Sequence, residues 1–183
     1  NDLNSGRRSL GSGGTQTSAI GFGGAAPPFG SPGLTGSTET WNGTSWTEVN
    51  DLNTSRRDIA GIAADNTAAL AAGGSLDPES WNGTSWTEVN DLNTARGALA
   101  GAGTSTLALA FGGNQVAPYV GNTEDWNGVS WQENADLSTV RGYLAGAGNY
   151  TSALAFGGLT PSATTATEEW SNTSNTTKTI STD

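Results

Sequence analysis

The chain has 183 residues, a formal net charge of -10, and no Cys, His or Met. An acidic surface repels phosphate backbones and anionic lipid, which sets aside nucleic acid and the membrane surface as partners. Without Cys and His there is no disulfide, thiolate or imidazole chemistry, so the commonest general base and the softer metal ligands are missing.

No apolar run approaches the roughly 20 residues that cross a bilayer as a helix. No secretory signal or targeting segment is visible, and the first residue is Asn, not Met; this fits a processed product or a piece of a longer chain. Gly, Thr, Asn and Ser are abundant, a composition shared with disordered segments. Seven Trp residues and regularly spaced apolar clusters argue for a packed structure instead.

Taken in chain order, the same features recur in register. An Asp-Leu pair opens each unit: Asp2-Leu3, Asp51-Leu52, Asp91-Leu92 and Asp136-Leu137. An arginine follows at a fixed offset, at Arg7, Arg56, Arg96 and Arg141. Next comes a stretch of small residues, such as GALAGAG at 97–103. A second apolar stretch then ends in a glycine pair, closing at Gly24, Gly74, Gly113 and Gly158. After a connection of variable length comes a Trp phrase beginning at Trp41, Trp81, Trp126 and Trp170. The phrase WNGTSWTEVNDLNT at 41–54 returns unchanged at 81–94, and WNGVSWQENADLST begins at Trp126.

Each unit therefore holds four short strand-like runs separated by turn residues. Glycine interrupts them too often for helix, and none is long enough. Asn42-Gly43 between Trp41 and Thr44 predicts a two-residue type I′ hairpin turn. That turn would pair Trp41 with Thr44 and Glu39 with Trp46. The two indoles would then lie diagonally on one face.

A sheet this small cannot bury two indoles alone. Stacking copies lets the Trp face of one unit cover the small apolar face of its neighbour. A period in the forties with four strands per unit predicts an all-β fold, a β-propeller of four blades forming one domain over 1–183. The blades would span about 1–49, 50–89, 90–133 and 134–183. Trp41, Trp46, Trp81, Trp86, Trp126, Trp131, Trp170 and the four arginines would pack between and within them. An open stack is the alternative, and it would leave a Trp-rich end face exposed.

The order of these features resembles the kelch repeat over nearly the whole chain. In that family a blade carries an arginine ahead of its first strand and a second strand ending in Gly-Gly. A variable loop follows, then an aromatic, then a Trp a few residues later. Arg96, Gly112-Gly113, Trp126 and Trp131 stand at these positions, with Trp where the family usually has Tyr. The wording WNGTSWTEVNDLN is also similar to kelch-like arrays in marine bacteriophage structural proteins. The resemblance implies a blade scaffold whose loops make the contacts, in a virion, a tail or fibre, or an extracellular setting.

Departures from the family bear on ring size, since its propellers commonly have six or seven blades. The last copy reads WSNTSNTTKTISTD, with Asn175 where a second Trp is expected. The chain is therefore either a complete four-bladed ring with a worn closing blade, or part of a larger ring completed by other chains. Small inner residues at 100–103 and 145–148 favour a tight axis and a complete ring.

Candidate sites are sparse. The four arginines could form an anion-binding ring, but bonds to backbone carbonyls or to a neighbouring blade's Glu39, Glu79, Glu124 or Glu168 are the stronger reading. The adjacent carboxylates Glu124-Asp125 and Glu168-Glu169 point to opposite faces of a strand, so they cannot flank one glycosidic bond. Galactose oxidase shares the kelch-like fold, but its chemistry needs a Cys-modified Tyr and His ligands. Asp65 and Asp77 could join a Ca²⁺ site, although no Asp-x-Asp-x-Asp-Gly run exists; solvated turn residues are the stronger reading. Asn-x-Ser/Thr triplets at Asn42, Asn53, Asn82, Asn149, Asn172 and Asn175 fit chance in so Asn- and Thr-rich a chain.

No catalytic residue, cofactor or metal is expected. The expected role is structural and adhesive, with a secreted lectin as the alternative. The loops at about 25–37, 114–122 and 159–166 would touch other structural proteins or a cell-surface glycan, with Phe29 and Tyr119 as first contacts. Self-association is a further expectation.

Overall fold

The computed structural model describes residues 1–28, 33–74, 77–115 and 118–171, together with the strand at 176–180. Among the described residues, every regular element is a strand. Blade 1 comprises β1 (Gly11–Thr15), β2 (Ser18–Phe22), β3 (Thr38–Trp41) and β4 (Trp46–Val49). Blade 2 comprises β5 (Ala60–Asp65), β6 (Ala68–Ala72), β7 (Glu79–Trp81) and β8 (Trp86–Glu88). Blade 3 comprises β9 (Ala100–Gly103), β10 (Ala108–Phe111), β11 (Thr123–Trp126) and β12 (Trp131–Asn134). Blade 4 comprises β13 (Ala145–Asn149), β14 (Ser152–Phe156), β15 (Thr167–Ser171) and β16 (Thr176–Ile180). Each is an antiparallel meander of four strands in sequence order, and the four sheets form a β-propeller.

The innermost strands β1, β5, β9 and β13 lie side by side in that order. Their approach is close enough to require glycine. A Cβ on Gly61 of β5 would stand 2.2 Å from the backbone nitrogen of Ser12 in β1. In the small-residue stretches at 100–103 and 145–148, a Cβ on Gly101 would stand 2.6 Å from Ile62 of blade 2, and one on Gly146 would stand 2.7 Å from Phe111 and 2.8 Å from Gly101 O of blade 3.

The core lies in the seams between blades rather than within one. Ile20 and Phe22 of blade 1 are covered by Trp81 and Trp86 of blade 2. Leu70 and Ile62 of blade 2 are covered by Trp126 and Trp131 of blade 3. Leu109 and Phe111 of blade 3 are covered by Trp170 of blade 4. Phe22 meets Trp86 edge-on, with ring centroids 4.7 Å apart. Each fully buried aromatic of this size stabilises by roughly 1.5–3 kcal/mol relative to an exposed one.

One expectation is corrected here. The Trp hairpins do not carry two-residue I′ turns. Trp41 lies directly opposite Trp46, Trp81 opposite Trp86, and Trp126 opposite Trp131. The connection is four residues, Asn42 to Ser45, closed by the Asn42 N–H donating to Ser45 O at 3.3 Å. The Asn42 Oδ1 accepts from the N–H groups of Thr44 and Ser45, both at 2.9 Å. This side-chain cap competes with the I′ geometry. Gly43 has a φ of 91°, whereas Asn42 is not left-handed. Direct opposition brings the paired indoles to centroid distances of 5.3–5.6 Å.

The four-bladed propeller stands as expected, but among the described residues the blade 4–blade 1 seam does not repeat the other three. Leu154 and Phe156 of blade 4 are 38 % and 39 % exposed, while their counterparts Leu109 and Phe111 are 0 % and 2 % exposed. At the other end, Trp41 and Trp46 are partly exposed, whereas Trp81, Trp86, Trp126 and Trp131 are buried.

Candidate functional site

The arginines come first because they are the strongest charges placed in register. Arg7 reaches Glu39 at 3.0 Å and Arg141 reaches Glu168 at 3.0 Å. Arg56 pairs with Glu79, and Arg96 with Glu124, in the same arrangement. Each carboxylate belongs to the arginine's own blade, not to its neighbour's. Further guanidinium donors of Arg96 go to carbonyls, those of Gly112 at 2.8 Å, Thr94 at 2.9 Å and Ala110 at 3.2 Å. The other carboxylate oxygen accepts backbone N–H groups from the segment leading into the blade, those of Asn4, Asn53, Asn93 and Ser138. These guanidinium groups are 0–1 % exposed, so none is offered to a dissolved anion.

Burial pulls the Arg56 guanidinium below the ordinary arginine range, opposed by the Glu79 carboxylate. The same balance holds for Arg141, with burial opposed by Glu168. The carboxylate and carbonyl partners offset the burial of these charges, although Arg7 Nε and Nη1 and Arg141 Nε meet no acceptor among the described residues.

The backbone of the same arginines ties the blades together. Gly24 donates its N–H to Arg56 O at 2.7 Å, Gly74 to Arg96 O at 3.2 Å, and Gly113 to Arg141 O at 2.8 Å. Each donor lies in the preceding blade. The arginine therefore reads its own blade with its side chain and the previous blade with its carbonyl.

Two residues beyond each arginine stands a residue with left-handed backbone: Ser9, Asp58, Ala98 and Tyr143, with φ of 54–58°. That conformation costs roughly 1–2 kcal/mol in residues other than glycine. It is held by a hydrogen-bond chain running from blade to blade. Asp58 N–H donates to Ser9 O at 3.0 Å, Ala98 N–H to Asp58 O at 2.7 Å, and Tyr143 N–H to Ala98 O at 2.8 Å. The left-handed turn points N–H toward the preceding blade and C=O toward the following one.

The variable loops rise beside this chain. In three blades the loop after the glycine pair folds back on the segment preceding the blade's first strand. The bridges run Arg8–Ala25–Leu34, Gly97–Asn114–Tyr119 and Gly142–Leu159–Ala163. Leu34, Tyr119 and Ala163 hold equivalent outer places. Leu34 is 43 % exposed and Tyr143 is 54 % exposed. Tyr119 is partly exposed, and its ring lies against Gly142: a Cβ there would stand 2.8 Å from Tyr119 Cδ1. The Tyr119 side chain of blade 3 thus reaches the residue that precedes Tyr143 in blade 4. Phe29 lies outside the described residues.

Tyr143 is a candidate that reading by motif passes over. The available signal is an unrepeated residue type within a repeated context. The copies read Arg-Arg-Ser, Arg-Arg-Asp, Arg-Gly-Ala and Arg-Gly-Tyr, and an aromatic appears once.

The remaining candidates resolve into local roles. Asp65 Oδ1 accepts from the Thr67 N–H at 2.7 Å and the Thr67 hydroxyl at 2.6 Å, capping the β5–β6 turn. These bonds hold its carboxyl below the ordinary aspartate value of 3.8. Asp77 offers its backbone carbonyl to Arg56. Among the described residues, no three His, Cys, Asp or Glu side chains form a group able to hold a metal ion. Glu124 is committed to Arg96, while the adjacent Asp125 accepts from the Tyr150 hydroxyl at 3.1 Å and Asn134 at 2.8 Å. Glu168 is buried against Arg141, and Glu169 is exposed.

No protein-family model matches the chain, and comparison with curated proteins finds no significant relative.

Proposed function

We propose that this chain is a non-catalytic structural and adhesive module of the kelch type, acting in a virion or another extracellular assembly. Its loop-bearing face contacts another protein or a cell-surface glycan. The observation that carries this reading is a division of labour between repeated and unrepeated side chains. The repeated arginines, glutamates and all but the first blade's tryptophans are enclosed within and between blades. The unrepeated Tyr143, Leu34 and Tyr119 are left at or near the surface of the loop-bearing face. A rigid frame carrying irregular loops suits recognition better than turnover.

An exposed phenol ring offers a flat apolar face with a polar tip, which suits both a sugar ring and a protein surface. The phage assignment rests on the kelch-like feature order and on the WNGTSWTEVNDLN wording.

The test is a glycan array, run with the wild-type chain and with a Tyr119→Ala/Tyr143→Ala double variant of unchanged melting temperature. A saturable signal lost in the double variant supports a glycan ligand on this face. Enrichment of the chain in purified particles, with loss of enrichment in the double variant, supports a protein partner in a virion. Binding untouched by both substitutions moves the contact elsewhere. Glycan hydrolysis that co-purifies with the chain overturns the non-catalytic reading.

A further inference from the structure

We infer that blade 4 of one molecule receives blade 1 of a second copy of this chain, head to tail, through a seam of the kind that joins its consecutive blades. This inference stands independently of any ligand on the loop-bearing face.

Both halves of such a seam are present and uncovered. The receiving half is the face of Leu154 and Phe156, with Ala145 and Ala147 beside them, all exposed. In blades 1 and 3 the equivalent face is buried under the next blade. The inserting half is blade 1, which carries Leu3, Leu10, Trp41 and Trp46. All four are partly exposed. Their counterparts in blade 2 are Leu52, Ile59, Trp81 and Trp86, and all four are buried in the seam against blade 1.

The backbone makes the same point more specifically. Three bonds of the glycine-to-arginine series are formed, and Gly158 is the fourth donor in register. Among the described residues of this chain no arginine carbonyl meets it. The left-handed chain Ser9–Asp58–Ala98–Tyr143 likewise ends with Ser9 N–H and Tyr143 C=O meeting no backbone partner among the described residues. Leu137 N–H donates to Gly121 O at 2.8 Å and Arg141 N–H to Val120 O at 3.3 Å across the seam between blades 3 and 4. The equivalent acceptors in blade 4 are Thr165 O and Thr164 O.

A second copy supplies the complement to each of these groups. Its Arg7 carbonyl accepts from Gly158 and its Ser9 N–H donates to Tyr143 O. Its Leu3 and Arg7 N–H groups reach Thr165 O and Thr164 O.

Side-chain room agrees. A Cβ on Gly23, Gly73 or Gly112 would meet the next blade's Ile59, Leu99 or Leu144 within 3.0 Å. A Cβ on Gly157, the fourth in this series, meets nothing closer than Thr164 O at 4.0 Å. That space matches Leu10, the residue equivalent to Ile59 in blade 1. The interface is heterologous, so it closes a ring if the rotation allows and otherwise propagates.

The experiment measures the mass of the intact chain by light scattering, for the wild type and for two variants that each block one face. Phe156→Asp blocks the receiving face, and Trp46→Asp blocks the inserting face. Both sites are partly exposed in the single chain, so folding should survive; circular dichroism and melting check that it does. The wild type is expected at the mass of two or more chains, and each variant alone at the mass of one. Mixed in equal amounts, the variants should form a two-chain species, because Trp46→Asp retains a receiving face and Phe156→Asp retains an inserting blade.

A wild type that stays at one-chain mass at its highest soluble concentration overturns the inference, leaving a further blade or the chain's own closure as the cover. Variants that assemble like the wild type, or a mixture that stays monomeric while the wild type assembles, overturn it equally.

Discussion

The Trp86 indole of blade 2 donates its Nε1–H to the Thr38 hydroxyl of blade 1 at 3.0 Å. It is a polar contact inside an apolar seam, and it fixes how one blade sits on the next. The same ring presses against Phe22 of blade 1. Trp86→Ala is expected to lower stability by about 3–5 kcal/mol, the range for a large core aromatic. Thr38→Val, which keeps the volume and leaves the indole N–H without an acceptor, should cost about 1–3 kcal/mol. Urea denaturation of both variants checks these values, and an unchanged midpoint for Trp86→Ala would remove the indole from between the blades.

Arg96 and Glu124 should behave as a coupled unit. Arg96→Met alone leaves a buried carboxylate without its counter-charge and is expected to cost about 3–5 kcal/mol. The Arg96→Met/Glu124→Leu double variant should lose less than the sum of the single losses. A coupling energy of about 0.5–3 kcal/mol from the double-mutant cycle would express that shared burial. Strict additivity would mean that the two side chains act separately.

Gly83 occupies the turn between the paired tryptophans of blade 2, with a φ of 90°. Gly83→Val should destabilise by about 1–2 kcal/mol, because a β-branched residue fits the left-handed region poorly. Added bulk also approaches Thr67 O, 3.1 Å from a Cβ at this position. Asn82→Ala should weaken the same turn by removing the oxygen that caps Thr84 and Ser85. Thermal melting of the two variants separates backbone strain from loss of the cap.

Asp65 provides the acid-side signature. Its folded-state pKa lies below 3.8 because Thr67 donates two hydrogen bonds to the carboxylate. A depressed value means the ionised form is favoured on folding. Its contribution is therefore present above the unfolded-state value and disappears as pH falls through the folded one. Carbon-13 NMR of the Asp65 carboxyl should show a midpoint below 3.8. Thr67→Val should move that midpoint upward, and a midpoint already at the ordinary value in the wild type would contradict the cap.

Local pattern made much of the fold legible. The glycine pairs, the recurring Asp-Leu and Arg positions and the Trp phrases mark strands and turns because each is a short-range requirement of the chain. The hairpin register was misread from Asn42-Gly43 because a side-chain hydrogen bond, invisible to dipeptide preference, selects the longer loop. The candidate face was legible only in part. Tyr119 stood out by lying in a loop of irregular length. Tyr143 did not, because it stands just after a repeated arginine and only the folded chain shows it exposed.

Sequence alone therefore determined that this chain is a set of four self-similar, strand-built units whose tryptophans need a neighbour, since periodicity and turn chemistry act within each copy. Tertiary structure decided which neighbour each one has. Trp81 and Trp41 come from the same repeated wording, yet one is buried and the other partly exposed. Burial is a property of what lies opposite, and copies identical in sequence differ when one of them stands at the end of the row.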